Sequence, residues 1–557
     1  MQHKTLESVK ERKRSTAGMG LLIGLAVLLL FGGLGRLPVF GRDEALYAEA
    51  AREMFASGDW ITPRVNGVVF FEKPPLYYWM AAATYSALGV TPLAARLPAA
   101  MMGLATVIAV AVVTARVWGL REALLAGLAL ATSLQFVMIG RMGIMDVPLT
   151  CLITLAMMTY VRWRRSGGVF GPLAFGLLVG AAILLKGLAG GLAPAIAFVH
   201  ALTFRRGSGR ISLGSIALAL GGCVLIAAPW FLAMSVQHGE RYTSTFFLRE
   251  HLARMAQPMQ GHSGPILYYL AIILVSFFPW VMFLPAACTN REGLNDTQAF
   301  WRSLALVWIL VVLVPFSLIR TKLPGYVTPL FPAMAMLVGV EIDRQLREPS
   351  RAIWIASIIG AVVLSSAFAL LPVVGLRLGE RIGAESDAWL LVVPTAFWLG
   401  GYAAIAFGGA RSLAGRLREG LGFMVGGQLV LIGALIFGVL PVLSPYVGGA
   451  PATLAQRAAR DLRGHKIMLY ETRPETVAFA LERTVPTFSY NEKSALKEAL
   501  IESPSALIAP IAARNFRKAL PAVRTWRHGG HILLDIPKLD SAALAHIQTD
   551  ESQDMPD

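Results

Sequence analysis

Apolar runs separated by short polar connections recur along the first 443 residues, near 18–39, 74–90, 94–118, 121–138, 146–163, 169–184, 189–204, 212–236, 265–287, 301–319, 325–345, 351–375, 386–408 and 419–443. Hydrocarbon offers no partner to a backbone N–H or C=O, so runs of this kind cross a bilayer as helices, whose hydrogen bonds are internal. The pattern predicts an all-α polytopic membrane protein. After about 443 the composition turns soluble. There His465–Tyr470, Ser505–Ile511 and His531–Ile536 read as strands, and Pro474–Leu481 and Asn491–Ile501 as helices. Residues 444–557 are therefore expected to form a small α/β domain, with a polar, acidic tail from about 540.

Positive charge orients the spans. Placing the N-terminal Lys4, Lys10, Arg12, Lys13 and Arg14 inside should put the Arg116/Arg121, Arg162/Arg164/Arg165, Arg205/Arg206/Arg210, Arg344/Arg347/Arg351 and Arg411/Arg416/Arg418 clusters inside as well. That holds only if one segment before 94 does not cross. The segment 74–90 opens with Pro74-Pro75 and carries Tyr77, Tyr78, Trp79 and Tyr85, side chains that favour an interface. Treating it as a juxtamembrane helix leaves thirteen spans. The alternative topology lets 74–90 cross and removes a later, weaker span. In the stretch 43–56, Leu46, Ala50 and Met54 recur beside Tyr47, Ala51 and Phe55, with Glu49, Arg52 and Glu53 elsewhere. This reads as an amphipathic helix suited to a membrane surface.

With thirteen spans the chemistry-bearing residues gather on the outer face. They are Asp43 and Glu44, then Glu72 and Lys73, Arg141 and Asp146, Lys186, the Arg249–Arg254 stretch with His251, and Arg320, Lys322 and Tyr326. Ionisable groups beside lipid are costly and tend to be functional. Each has a plainer reading. Asp43 and Glu44 can cap a helix N-terminus, Lys73 and Lys186 can snorkel, Arg141 and Asp146 can pair, and Pro324-Gly325 can simply turn the chain. Four cations on one face, Lys73, Arg254, Arg320 and Lys322, would nonetheless form a pocket fit for a lipid phosphate.

The chain of 557 residues is 55% hydrophobic and 15% charged, with a formal net charge of +16. The basic residues lie in loops between apolar runs and form no aromatic-interleaved patch, so topology explains the excess and no nucleic-acid partner is expected. Cys151, Cys223 and Cys288 sit inside or beside apolar runs without CxxC spacing, so neither a disulfide framework nor a cysteine metal site is indicated. No small-residue cleavage site closely follows the first apolar run, so it reads as a retained signal anchor. His251 and His262 share a loop, and Glu72 facing them would supply a zinc ligand, although neither HExxH nor paired-His spacing occurs.

Gly41-Arg42-Asp43-Glu44-Ala45, Phe71-Glu72-Lys73-Pro74-Pro75-Leu76, Leu185-Lys186-Gly187, Glu250-His251 and Arg320-Thr321-Lys322-Leu323-Pro324-Gly325-Tyr326 together resemble the bacterial branch of the protein O-mannosyltransferase superfamily, glycosyltransferases of the GT-C architecture. Within it the chain is most similar to the lipid A 4-amino-4-deoxy-L-arabinose transferases. The resemblance covers roughly residues 18–445 and implies a GT-C transmembrane domain over 1–443. It implies an undecaprenyl phosphate-linked sugar as donor, lipid A as acceptor, no nucleotide cofactor, and an inner-membrane enzyme, monomeric, whose active site faces the periplasm and whose product resists polymyxin. It also implies Asp43 as the essential carboxylate. Donor phosphate would be held by Lys73 and basic residues of loops 237–264 and 320–324, Arg254, Arg320 and Lys322 among them. Glu44, Asp146, Lys186 and Tyr326 would complete the substrate site, with Glu72 and His251 as contacts of a divalent metal, zinc. Two other readings remain: a related transferase moving a hexose to protein or glycan, and a lipid-linked sugar flippase. A transporter should show repeat symmetry and mid-membrane charges, and the sequence shows neither.

Overall fold

The computed structural model describes residues 2–204, 211–246, 264–290, 292–370, 392–444, 449–510, 520, 522–528 and 531–539, without the side chains of 2–15, 490 and 493. It begins with α1 (Gln2–Phe31), α2 (Arg42–Ser57), the hairpin β1 (Arg64–Val65) and β2 (Val68–Val69), α3 (Leu76–Leu88), α4 (Pro92–Val117), α5 (Leu120–Ala131), α6 (Leu134–Gly140), α7 (Asp146–Ser166) and α8 (Phe170–Lys186). There follow a 3-10 turn at Gly187–Gly191, α9 (Leu192–Thr203), α10 (Leu213–Thr243), α11 (Tyr268–Ser276), α12 (Leu284–Thr289), α13 (Asp296–Leu318), α14 (Phe331–Arg347), α15 (Arg351–Ala369), α16 (Val392–Leu413), α17 (Leu417–Ala434) and α18 (Leu440–Leu443).

Among the described residues, eight helices are long and apolar enough to cross a membrane, and two bent pairs, α5 with α6 (63°) and Tyr268–Ser276 with Trp280–Thr289 (111°), raise this to ten. One of the eight, Phe170–Thr203, is two passes. Phe175 near the start of α8 packs on Tyr160 near the end of α7. Lys186 at the end of α8 reaches Asp146 at the start of α7. His200 near the end of α9 returns to Tyr160, ring nitrogen to hydroxyl at 3.0 Å. The chain therefore reverses at Gly187, whose φ of 58° suits a residue without Cβ. With α1 and α7 counted, each of the thirteen segments read as spans contains a helix.

Two sets of contacts define the ends of the bundle. At one, Arg165 donates to the Asp296 carbonyl at 3.4 Å, Gln298 to the Val117 carbonyl at 3.2 Å, and Arg121 pairs with Asp343 at 3.4 Å. These residues belong to or adjoin the clusters expected inside. At the other end lie Asp146, Lys186 and Pro324, whose carbonyl accepts from Gln135 at 2.7 Å.

Helix α3 has 13 residues, about 20 Å of rise against the ~30 Å of a hydrocarbon core. Its tyrosines, expected at the lipid interface, instead face protein. Tyr77 donates to the Ala95 carbonyl at 2.9 Å and Tyr85 to the Ala48 carbonyl at 3.1 Å, both buried. Helix α2 also departs from expectation, for it is buried from Glu44 through Arg52 and does not lie on a membrane surface. The polar face that sequence pattern assigns to water is covered by the C-terminal unit. Arg52 pairs with Glu49 at 2.6 Å and donates to the Glu482 carbonyl at 3.1 Å. Asn66 in the hairpin turn exchanges two hydrogen bonds with Val485, at 2.8 and 3.0 Å.

The C-terminal unit holds α19 (Ala450–Asp461), β3 (Lys466–Tyr470), α20 (Glu475–Leu481), β4 (Thr487–Phe488), α21 (Lys493–Glu502), β5 (Ser505–Pro510), β6 (Arg524–His528) and β7 (His531–Ile536). Its sheet runs in the order β4-β3-β5-β7-β6, parallel across the first three strands and antiparallel across the rest. Strands β3, β5 and β7 are buried on both faces, which is why their sequences are nearly continuous apolar runs.

Candidate active site

Asp43 stands in the first turn of α2, where its carboxylate complements the helix dipole, and stays exposed while the helix behind it is buried. Four residues on, Tyr47 projects from the same face and is only 4% exposed. Burial pushes the Tyr47 hydroxyl well above its usual range, and Asp43, Tyr78, Asp146 and Glu72 all add to the rise, Asp43 most among them. Tyr78 is raised well above its usual range by burial first, then by Glu72 and Asp43. Both phenols are therefore neutral donors at pH 7, within the field of Asp43 from α2 and Glu72 from the loop before α3, to which Asp146 at the start of α7 adds at Tyr47. The Tyr47 and Tyr78 rings sit 6.0 Å apart.

The site extends through Asp146. Its Oδ1 accepts from Lys186 Nζ at 2.7 Å, and both side chains are about one-seventh exposed. Lys186 also lies 5.7 Å from the centre of the Tyr326 ring. A Cβ added to Gly325 would fall 2.7 Å from the same Asp146 oxygen, so a side chain here would push the carboxylate from its place. The motif Pro324-Gly325-Tyr326 thus seats the ion pair as well as turning the chain. Lys73, half-buried, donates to the Glu72 carbonyl at 3.3 Å.

Some of the expected site residues are used elsewhere. Glu44, expected to bind substrate, is wholly buried. Its carboxylate accepts from Arg96 Nε at 2.7 Å and Nη2 at 2.9 Å, from the Phe40 amide at 3.0 Å and from the Gly143 amide at 2.8 Å. Arg96 then donates to the Leu34, Leu37 and Pro38 carbonyls at 2.8–2.9 Å. Glu44 is the centre of a clasp that fixes the entry to α2, and its four bonds leave it no capacity for a ligand. Arg141 does not pair with Asp146; it donates to the Leu29 and Gly32 carbonyls at the end of α1, at 2.8 and 2.7 Å. Lys322, expected on the donor phosphate, caps α13 through the Phe316 and Ser317 carbonyls at 2.9 and 2.6 Å, and burial lowers its pKa. Arg320 is exposed.

His251 and Arg254, with the Arg249–Arg254 stretch and His262, lie outside the described residues. Among the described residues no three His, Cys, Asp or Glu side chains gather as a metal would need. Glu72 alone does not make a zinc site.

Tyr47, Tyr78 and Arg96 were missed from sequence. Tyr47 carried a signal, standing one helical turn after Asp43. Tyr78 has a buried hydroxyl with no hydrogen-bond partner among the described residues. A substrate hydroxyl or amine reaching Glu72 and Asp43 would meet it. Tyr78→Phe should keep thermal stability within about 1 kcal/mol and raise KM several-fold in a transfer assay; an unchanged KM would place the hydroxyl outside substrate reach.

Residues 34–241, which hold nearly all of this geometry, match the dolichyl-phosphate-mannose-protein mannosyltransferase family. ArnT from Cupriavidus metallidurans bound to undecaprenyl phosphate shares the fold, with a TM-score of 0.75 at 24% identity over 94% of this chain and 99% of that one. An undecaprenyl phosphate-alpha-4-amino-4-deoxy-L-arabinose arabinosyl transferase from Pectobacterium atrosepticum is 28% identical over 467 residues, 80% of each chain. One of the same name from Aeromonas salmonicida is 31% identical over 378 residues, 66% of this chain and 68% of its own. The chain is a glycosyltransferase and belongs to the undecaprenyl phosphate-aminoarabinose arabinosyl transferase family.

Proposed function

We propose that this enzyme moves 4-amino-4-deoxy-L-arabinose from undecaprenyl phosphate to a phosphate of lipid A, as a monomer at the periplasmic face of the inner membrane. The observation that carries the reading is the grouping of Asp43, Glu72 and the Asp146–Lys186 pair around Tyr47 at one end of the bundle. The clusters expected inside occupy the opposite end, which supports an outward-facing site.

The sugar–phosphate bond breaks with inversion as the acceptor attacks. The departing phosphate gains charge, and Lys73 is suited to hold it, with Arg254 and Arg320 as the further cations that the family resemblance implies. An acceptor phosphate is already ionised near neutral pH, so Asp43 has little proton to remove. It orients the reactants or engages the sugar amine. Adding an amine beside each lipid A phosphate offsets its negative charge and weakens the binding of cationic peptides such as polymyxin.

Mass spectrometry of lipid A from cells with and without the protein tests the reading. An aminoarabinose-sized addition that depends on the protein is expected; a hexose on protein or glycan would overturn it. Lys73→Ala should weaken donor binding or turnover roughly tenfold to a hundredfold, the loss of one charge-assisted hydrogen bond of about 1.5–3 kcal/mol, with partial rescue by Lys73→Arg. Titration with a polyprenyl phosphate measures it, with the exposed Arg524→Ala as control.

A further inference from the structure

Beside the Glu44–Arg96 clasp, at the same end of the bundle, is a cavity of about 410 Å³ lined by none of Asp43, Glu72, Asp146 or Lys186. The linker from α1 to α2, Arg96 of α4, the tail of α6 and the stretch from Leu435 into α18 build it. Three guanidiniums reach its wall, Arg36, Arg96 and Arg141. Arg96 is neutralised by Glu44. Arg141 spends its hydrogen bonds on the neutral Leu29 and Gly32 carbonyls, and Arg36 is exposed. Neither has a carboxylate at ion-pair distance among the described residues, so two positive charges in one cavity lack a counter-charge.

Another part of the wall is apolar. It contains Ile436, Phe437 and Leu440, and Phe437 is 57% exposed. Arg36 and Phe437 meet over Gly33, where a Cβ would lie 3.2 Å from Arg36 Cδ and 3.4 Å from Phe437 Cε1. Ile436 and Phe437 belong to a single π-helical turn, Leu435–Val439, a form frequent at functional sites, and Leu440 opens α18 behind it. Uncompensated guanidiniums select a phosphate, and an adjoining apolar wall at the end of a membrane span selects one that carries acyl chains. A free phosphate would use the cations and leave the wall without a role.

We propose that this cavity holds the phosphate group of a membrane lipid, with the acyl chains laid along Ile436, Phe437 and Leu440. The site is distinct from the Asp43 pocket and does not depend on which sugar is transferred.

The test is lipid binding by the full-length protein in detergent, in a Lys73→Ala background that weakens the donor pocket, read by native mass spectrometry and by thermal shift. Dioleoylphosphatidic acid, dioleoylglycerol and inorganic phosphate are the three probes. The phosphatidic acid should bind and stabilise, and the other two should do so at least roughly tenfold more weakly. Arg36→Glu should lower phosphatidic acid affinity tenfold or more, and Phe437→Ser several-fold; both side chains are exposed, so the variants should elute and melt as the parent does without lipid. Unchanged affinity in Arg36→Glu overturns the site. Equal binding of dioleoylglycerol overturns the role of the phosphate, and equal binding of inorganic phosphate overturns the assignment to a lipid.

Discussion

Asp43→Asn is expected to insert, fold and melt like the parent protein yet lose transfer by on the order of 10²–10⁴-fold. The amide keeps the shape of the side chain and its ability to accept a backbone hydrogen bond at the start of α2. What folding loses is a dipole interaction worth about 0.3–1 kcal/mol at an exposed position. Chemistry loses the full negative charge that Tyr47 and Tyr78 feel and that a sugar amine or an oriented phosphoester would meet. A transfer assay with an undecaprenyl phosphate-linked donor, run beside thermal unfolding, separates the two. Near-parental activity would make Asp43 a helix-capping residue.

The second large effect is on stability. Arg96→Ala removes five hydrogen bonds, leaves the buried Glu44 carboxylate without its counter-ion and takes a donor from the Leu34, Leu37 and Pro38 carbonyls. Breaking one side of a buried ion pair costs about 3–5 kcal/mol. The variant should unfold well below the parent in detergent. Glu44→Gln should lose less, because the amide can still accept from Arg96 and the Gly143 amide. A small effect of Arg96→Ala would mean that water reaches Glu44 readily and that the clasp does not hold the entry to α2.

The spans were legible because hydrophobic periodicity and the placement of arginines report directly on lipid and on membrane side. The strands at 466–470, 505–510 and 531–536 were legible for a similar reason, each being a short apolar run bounded by turn residues. Asp43, Glu72, Asp146 and Lys186 could be gathered onto one face from topology alone. What sequence could not supply was direction and partnership. Glu44 and Arg96 stand 52 positions apart, and nothing local distinguishes a carboxylate aimed at a ligand from one aimed at a guanidinium. Lys322 could serve a phosphate or the end of a helix with the same charge. The amphipathic pattern of α2 gave a polar face and an apolar face correctly, but periodicity does not say whether lipid, water or another part of the chain covers each. Here α3 covers one and α20 the other.

That last contact bears on when the enzyme first becomes active. A ribosome that has released residue 443 has already delivered every span, along with Asp43, Glu72, Asp146 and Lys186. The chain still lacks Glu482 and Val485, the partners of Arg52 on the helix that carries Asp43 and of Asn66 in the hairpin that follows it. Insertion of the bundle and assembly of its reactive end are thus separate events in the life of the nascent chain, and the second waits for the C-terminal unit to be made and folded back onto α2.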